Sequence, residues 1–182
     1  MPAALPHPRS AATGRYGRPM SRLLLVHHAP TSVVAELADR VEAGAHDEEV
    51  TGVEVVVRDA LSASPEDVLA ADGLVLGTPA NFGYMSGALK HFFDSVFLQV
   101  GGSLSEDGSA ASGAGASTPF GLWVHGRYDT TGATRSVLTI TGALPWRQAA
   151  GVLEVVGDVD RRARDAAYEL GATLAALVSP DA

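Results

Sequence analysis

The chain has 182 residues, a formal net charge of −8 and a pI near 5.1, a balance that repels polyanions and argues against nucleic acid or an acidic membrane surface as partner. It contains no cysteine, which excludes disulfides, thiolate metal sites and thiol nucleophiles and leaves redox chemistry to a bound cofactor. With 46% hydrophobic residues and no apolar run long enough to span a bilayer, the composition predicts one globular, cytoplasmic domain.

Residues 1–19 are rich in Pro, Gly and Arg, carry no acidic residue and lack the apolar stretch of a secretory signal. They read as a disordered extension, with the domain spanning 20–182 and Met20 as the true start. LLLVH (23–27) is a predicted first strand, and Val33, Val34, Leu37 and Val41 then repeat at helical spacing. Between them lies HHAPTS (27–32). A helix N-terminus offers free backbone N–H groups and a partial positive charge, and the hydroxyls of Thr31 and Ser32 would complete a phosphate cradle there. Ala29, Val33 and Val34 add no side-chain donor. His28 reads as loop-facing and His27 as packed. Adjacent strand residues point to opposite faces, so this pair is a poor chelator and no metal site is expected.

VEVVV (53–57) reads as the second strand, SPEDVLAA from Ser64 as a short helix with Pro65 and acids in its first turn, and LVLG (74–77) as the third strand. The stretch GTPANFGYMSGALKHFFD (77–94) follows. Gly77 can end a buried strand, Pro79 fixes the loop's direction, and Gly83 permits close backbone approach to a planar ligand. Ser86 can cap the helix that carries Leu89, Phe92, Phe93, Val96 and Phe97. A competing reading has Gly and Pro merely building a turn while Phe82 and Tyr84 plug the core. Met85, Lys90 and Asp94 read as residues that pack, cap or order the helix.

The low-complexity tract 101–118 reads as a solvated insertion at the end of the sheet opposite the ligand-facing loops. FGLWVH (120–125) is a fourth strand, followed by HGRYDTTG (125–132). There Gly126 would allow close approach, His125, Arg127 or Tyr128 could contact a ligand, and Thr130 or Thr131 could cap the next helix, which Val137, Ile140 and Leu144 define. The alternative for this loop is an Asp-Thr-Thr-Gly turn with an Arg–Asp surface pair. GVLEVV (151–156) is the fifth strand, and Ala163, Ala166, Ala167, Leu170, Leu174, Leu177 and Val178 form the stripe of a last helix. Trp123 and Trp146 read as core. Five Val- and Leu-rich strands alternating with helices predict a doubly wound, parallel α/β sheet, whose ligands sit outside the carboxyl ends of the strands. No G-x-S-x-G, H-E-x-x-H or G-x-x-x-x-G-K-[ST] motif occurs, so hydrolase and nucleoside triphosphatase readings find no support.

GTPANFGYMSGALKHFFD resembles the loop and helix after the third strand of the flavodoxin-like family, particularly its FMN-dependent NAD(P)H:quinone reductase and NADPH-dependent FMN reductase branch. The resemblance implies a flavodoxin-like three-layer α/β sandwich with a five-stranded parallel sheet of order 2-1-3-4-5. It implies FMN lying across the ends of the first, third and fourth strands. Thr78, Pro79, Ala80, Asn81, Phe82, Gly83 and Tyr84 would then hold the isoalloxazine ring. His28, Thr31, Ser32, Val33 and Val34 occupy the phosphate-loop position, and His125, Gly126, Arg127 and Tyr128 the outer edge of the flavin. The implied reaction is hydride transfer from NAD(P)H to a quinone or similar small acceptor, with no protein nucleophile. The alternatives are a flavodoxin-type electron carrier and a non-enzymatic member whose hydroxyl-poor first loop binds FMN weakly. Reductases of this family are commonly dimers or tetramers, so the resemblance is compatible with a homo-oligomer, while the sequence itself does not reveal the oligomeric state.

Overall fold

The computed structural model describes residues 20–102 and 118–181; the extension 1–19, and the insertion apart from its flanks, lie outside the described residues. The elements run β1 (Ser21–His27), α1 (Ser32–Ala45), β2 (Val53–Asp59), α2 (Pro65–Ala70), β3 (Gly73–Asn81), β4 (Tyr84–Met85), α3 (Gly87–Val96), β5 (Thr118–Gly126), α4 (Thr131–Thr141), β6 (Trp146–Gln148), β7 (Leu153–Val156) and α5 (Arg161–Val178). Side-chain oxygens start four of the helices: Thr31, Ser64, Ser86 and Asp160 each accept a backbone N–H from the first turn. Ser64 and Asp67 do so reciprocally, as a capping box.

The strands pair in the order β2-β1-β3-β5-β6, all parallel, with β7 also parallel to β5 and β4 antiparallel to β3. The expected order 2-1-3-4-5 is therefore present, with its fifth strand divided. Trp146–Gln148 pairs with the start of β5 and Leu153–Val156 with its end; the Ala149 N–H still donates to the Phe120 carbonyl at 2.9 Å, and residues 150–152 leave the ladder. Gly151 sits in this break, and the Gln148 side-chain amide donates to the Ala150 carbonyl at 2.9 Å inside it. The sequence pattern exposed only the second piece because Trp146 is the one apolar residue of the first.

The central strands alternate between two buried faces. Leu24, Val26, Leu74, Leu76, Leu122 and Val124 pack with α3 and α4, whereas Leu23, Leu25, Val75 and Trp123 pack with α1 and α5. Both Trp side chains are buried, as expected: Trp123 is closed over Gly77, and Trp146 lies beside Phe93 and Phe120. Because the strands are parallel, the carboxyl ends of β1, β3 and β5 converge on one rim. The flanks of the insertion lie at the opposite end: Gly102 follows the turns after α3 and donates its N–H to the Phe97 carbonyl at 2.8 Å, and Thr118 opens β5.

Candidate functional site

The second loop is a tight hairpin. Ala80 pairs with Met85 and Asn81 with Tyr84, leaving Phe82 and Gly83 as a two-residue turn with φ of 51° and 77°, the left-handed combination of a type I′ hairpin. Gly83 suits that conformation, and Phe82 is the only non-glycine residue with positive φ among the described residues. The turn lifts the Phe82 ring fully into solvent and leaves Tyr84 46% exposed. Neither ring plugs the core.

Below the turn, Thr78 is wholly buried. Its hydroxyl accepts the Ser86 N–H at 2.9 Å and donates to the Pro79 carbonyl at 2.9 Å. Ser86 then accepts the Leu89 N–H at 3.2 Å, which caps α3. Thr78 thus braces the loop, and the surface offered to a ligand comes from Asn81 to Tyr84. Pro79 is buried and Ala80 half-buried. Met85 packs in the core, and Lys90 pairs with Asp94 at 2.6 Å along α3, as expected for both.

In the first loop, Thr31 is the N-cap of α1 and receives the Val34 N–H at 3.4 Å. Thr31, Ser32 and Val33 are exposed, whereas the Val34 side chain is 2% exposed and faces the core. The groups available to an anion are therefore the first backbone N–H groups of α1 and the hydroxyls of Thr31 and Ser32. His28 donates its backbone N–H to the Gly77 carbonyl at 3.2 Å, tying this loop to β3. Its imidazole Nδ1 lies 3.8 Å from the Asp59 carboxylate. His27 points elsewhere, its ring centroid 6.2 Å from that of Trp123. Burial, reinforced by His28, pushes its pKa below the ordinary histidine value against the opposing pull of Asp59, Glu42 and Asp39.

The third loop carries both features of its simpler reading. Arg127 pairs with Asp158 at 2.8 Å on the surface, and Asp129 accepts the Thr131 hydroxyl and N–H at 2.7 and 3.2 Å. Those two bonds hold the Asp129 carboxyl below its usual range. Thr130 occupies the N-cap position of α4 without making a capping bond; its hydroxyl, like that of Thr134, donates to Glu154. His125 donates Nε2–H to the Gly157 carbonyl at 2.8 Å, so its ring is fastened to the β7–α5 loop. Gly126 allows the chain to fold back on the Asp129 carbonyl, and Tyr128 projects 88% exposed. Asp158, Gly157, Glu154 and Asp59 were not legible as site residues, since each enters through a long-range contact.

The rim consequently presents an open helix N-terminus with two hydroxyls and three solvent-exposed aromatic rings, Phe82, Tyr84 and Tyr128. Among the described residues these three are the large exposed aromatic side chains, and all sit on or beside loops that follow the carboxyl ends of β3 and β5. The donor set suits a phosphate and the rings suit a planar heterocycle, so the residues present fit FMN.

The comparisons with known proteins agree. Residues 12–154 match the family model described as NADPH-dependent FMN reductase. The chain belongs to that family. It is 35% identical over 102 residues to a protein named flavodoxin from Aquifex aeolicus, covering 56% of this chain and 53% of that protein. It is 28% identical over 132 residues to an NAD(P)H dehydrogenase (quinone) from Acidithiobacillus ferrooxidans, covering 62% of each. The chain thus spans between half and two thirds of the lengths of these relatives. An archaeal flavodoxin structure superposes with a TM-score of 0.69 at 11% identity, over 86% of this chain and 98% of that one. The fold is flavodoxin-like, and the family is one of FMN-binding oxidoreductases. Among the described residues no helix is long and apolar enough to cross a membrane.

Proposed function

We propose that the protein binds FMN across the carboxyl ends of β1, β3 and β5 and transfers hydride from NAD(P)H to a quinone or similar small acceptor. The observation that carries this reading is the fully exposed Phe82 on its positive-φ turn after β3, on the same rim of the parallel sheet as the N-terminus of α1 after β1. FMN supplies the two-electron chemistry when bound, and the chain supplies position and electrostatics. Thr31, Ser32 and the first N–H groups of α1 hold the phosphate. The hairpin Asn81–Tyr84 holds the ring system, with backbone N–H groups available to its polar edge. Tyr128 frames the outer side, and His125, Gly126 and Arg127 fix the loop that carries it.

Two measurements test the reading. Titration of FMN against purified protein, followed by quenching of flavin fluorescence, should give stoichiometric binding. Steady-state oxidation of NADPH with a quinone should then give parallel double-reciprocal lines, because donor and acceptor alternate at one exposed face. Absence of quenching at high micromolar FMN would remove the reading. FMN binding without NAD(P)H oxidation would favour the electron carrier, which the likeness to a protein named flavodoxin keeps as the second reading.

A further inference from the structure

A groove of about 470 Å³ opens beside the flavin-facing hairpin, lined by Gly83, Tyr84, Lys90, Arg135, Ser136 and Thr139 among others. It lies between α3 and α4, with the back of the β3–β4 turn as its end wall. In a chain of net charge −8 its lining contains two cations and no carboxylate. Lys90 is partly neutralised by Asp94. Arg135 is exposed and takes part in no ion pair among the described residues. Ser136 and Thr139 direct their hydroxyl protons to the Ala133 and Arg135 carbonyls, so the donors left for a ligand are the Arg135 guanidinium, the Lys90 ammonium and the Tyr84 phenol. Arg135 also borders the neighbouring groove on the other flank of α4, but the carboxylate there, Glu154, is already engaged by Thr130 and Thr134.

We propose that this groove binds the phosphate-bearing tail of the nicotinamide dinucleotide donor, with Arg135 as its principal anchor. The inference rests on the proposed function and adds the place where donor selectivity arises. A guanidinium with no internal partner is suited to phosphate, which it can grip through two parallel hydrogen bonds. The shared Tyr84 wall makes the groove continuous with the exposed face of the hairpin, so a donor whose nicotinamide reaches the flavin can lay its anionic end here. The cavity is of the size that ordinarily takes a small ligand.

The test uses the full-length chain loaded with FMN and two probes, adenosine 2′,5′-bisphosphate and ADP, by calorimetry, with wild type, Arg135→Gln and the remote exposed variant Arg161→Gln. Binding to wild type and to Arg161→Gln, weakened about tenfold in Arg135→Gln, supports the site. A loss confined to the bisphosphate assigns the groove to the 2′-phosphate, and the KM for NADPH alone should rise in parallel. A loss for both probes assigns it to the diphosphate, and the KM values for NADPH and NADH should rise together. No binding of either probe, or equal binding by all three proteins, overturns the proposal. Because the probes report without turnover, a protein that binds FMN yet oxidises no nicotinamide would count against the proposed function while this result still decides the groove.

Discussion

The Thr78 hydroxyl accepts the Ser86 backbone N–H at 2.9 Å, closing the base of the hairpin across eight residues. Both side chains are essentially inaccessible to solvent, so water cannot replace the bond. Thr78→Val keeps the shape and removes the acceptor, leaving a buried N–H unpaired. The expected cost is about 1–3 kcal/mol of stability, with weaker FMN binding because the turn loses its footing. Thr78→Ser should restore most of both. Denaturant unfolding with parallel flavin titrations checks this, and an unchanged Thr78→Val protein would remove the bracing role.

Phe82 occupies a backbone conformation that its side chain does not favour. Phe82→Asn should stabilise the fold by about 0.5–1 kcal/mol, since Asn tolerates positive φ. The same change removes an exposed ring and should weaken FMN binding. Opposite signs in stability and affinity would mark strain retained for function; a loss of both would mean that the ring supports the fold.

The hydroxyl-poor first loop admits a repair at one of its two valines only. Val33 is exposed at the start of α1, so Val33→Asn adds an amide donor near the phosphate position and should tighten FMN binding. Val34 faces the core, so Val34→Thr buries a hydroxyl at a cost of about 1–3 kcal/mol and should leave affinity unchanged. Titrating both variants is sufficient. A gain from Val34→Thr without one from Val33→Asn would contradict the placement of these side chains.

His27 should make the fold acid-sensitive. Burial lowers its pKa in the folded state, so the unfolded chain binds more protons in the window just below about pH 6.5. Its contribution is fully present above that value and declines as pH falls towards the lowered pKa. Thermal midpoints measured from about pH 8 to pH 5 should drop more steeply for wild type than for His27→Asn. Identical slopes would assign the acid sensitivity to other groups.

Most of the architecture was readable because it rests on local signals. Val- and Leu-rich runs marked β1, β2, β3 and β5, and Ser64, Pro65 and Ser86 marked helix starts. The divided fifth strand was not readable, since Trp146–Gln148 offers one apolar residue and takes its strand character from pairing with β5. At the site, GTPANFGY marked the loop to which the proposed function assigns the flavin ring. The division of labour within it was hidden: Thr78 turns inward as a brace, and Phe82 takes the turn position where glycine or asparagine is usual. His125 and Arg127 were legible as loop residues, but their partners, Gly157 and Asp158, lie about thirty positions away and emerge only through tertiary pairing.

Gly132, in the first turn of α4, has no room for even a methyl group, because the Gly83 carbonyl oxygen already fills the space where it would project. The tip of the hairpin and the head of α4 are therefore in backbone-to-backbone contact, without a compliant side chain to absorb displacement. A side chain added at position 132 would have to displace the Gly83 backbone, which adjoins Phe82 in the turn. Gly132→Ala should accordingly disturb the hairpin tip although it lies on a different element.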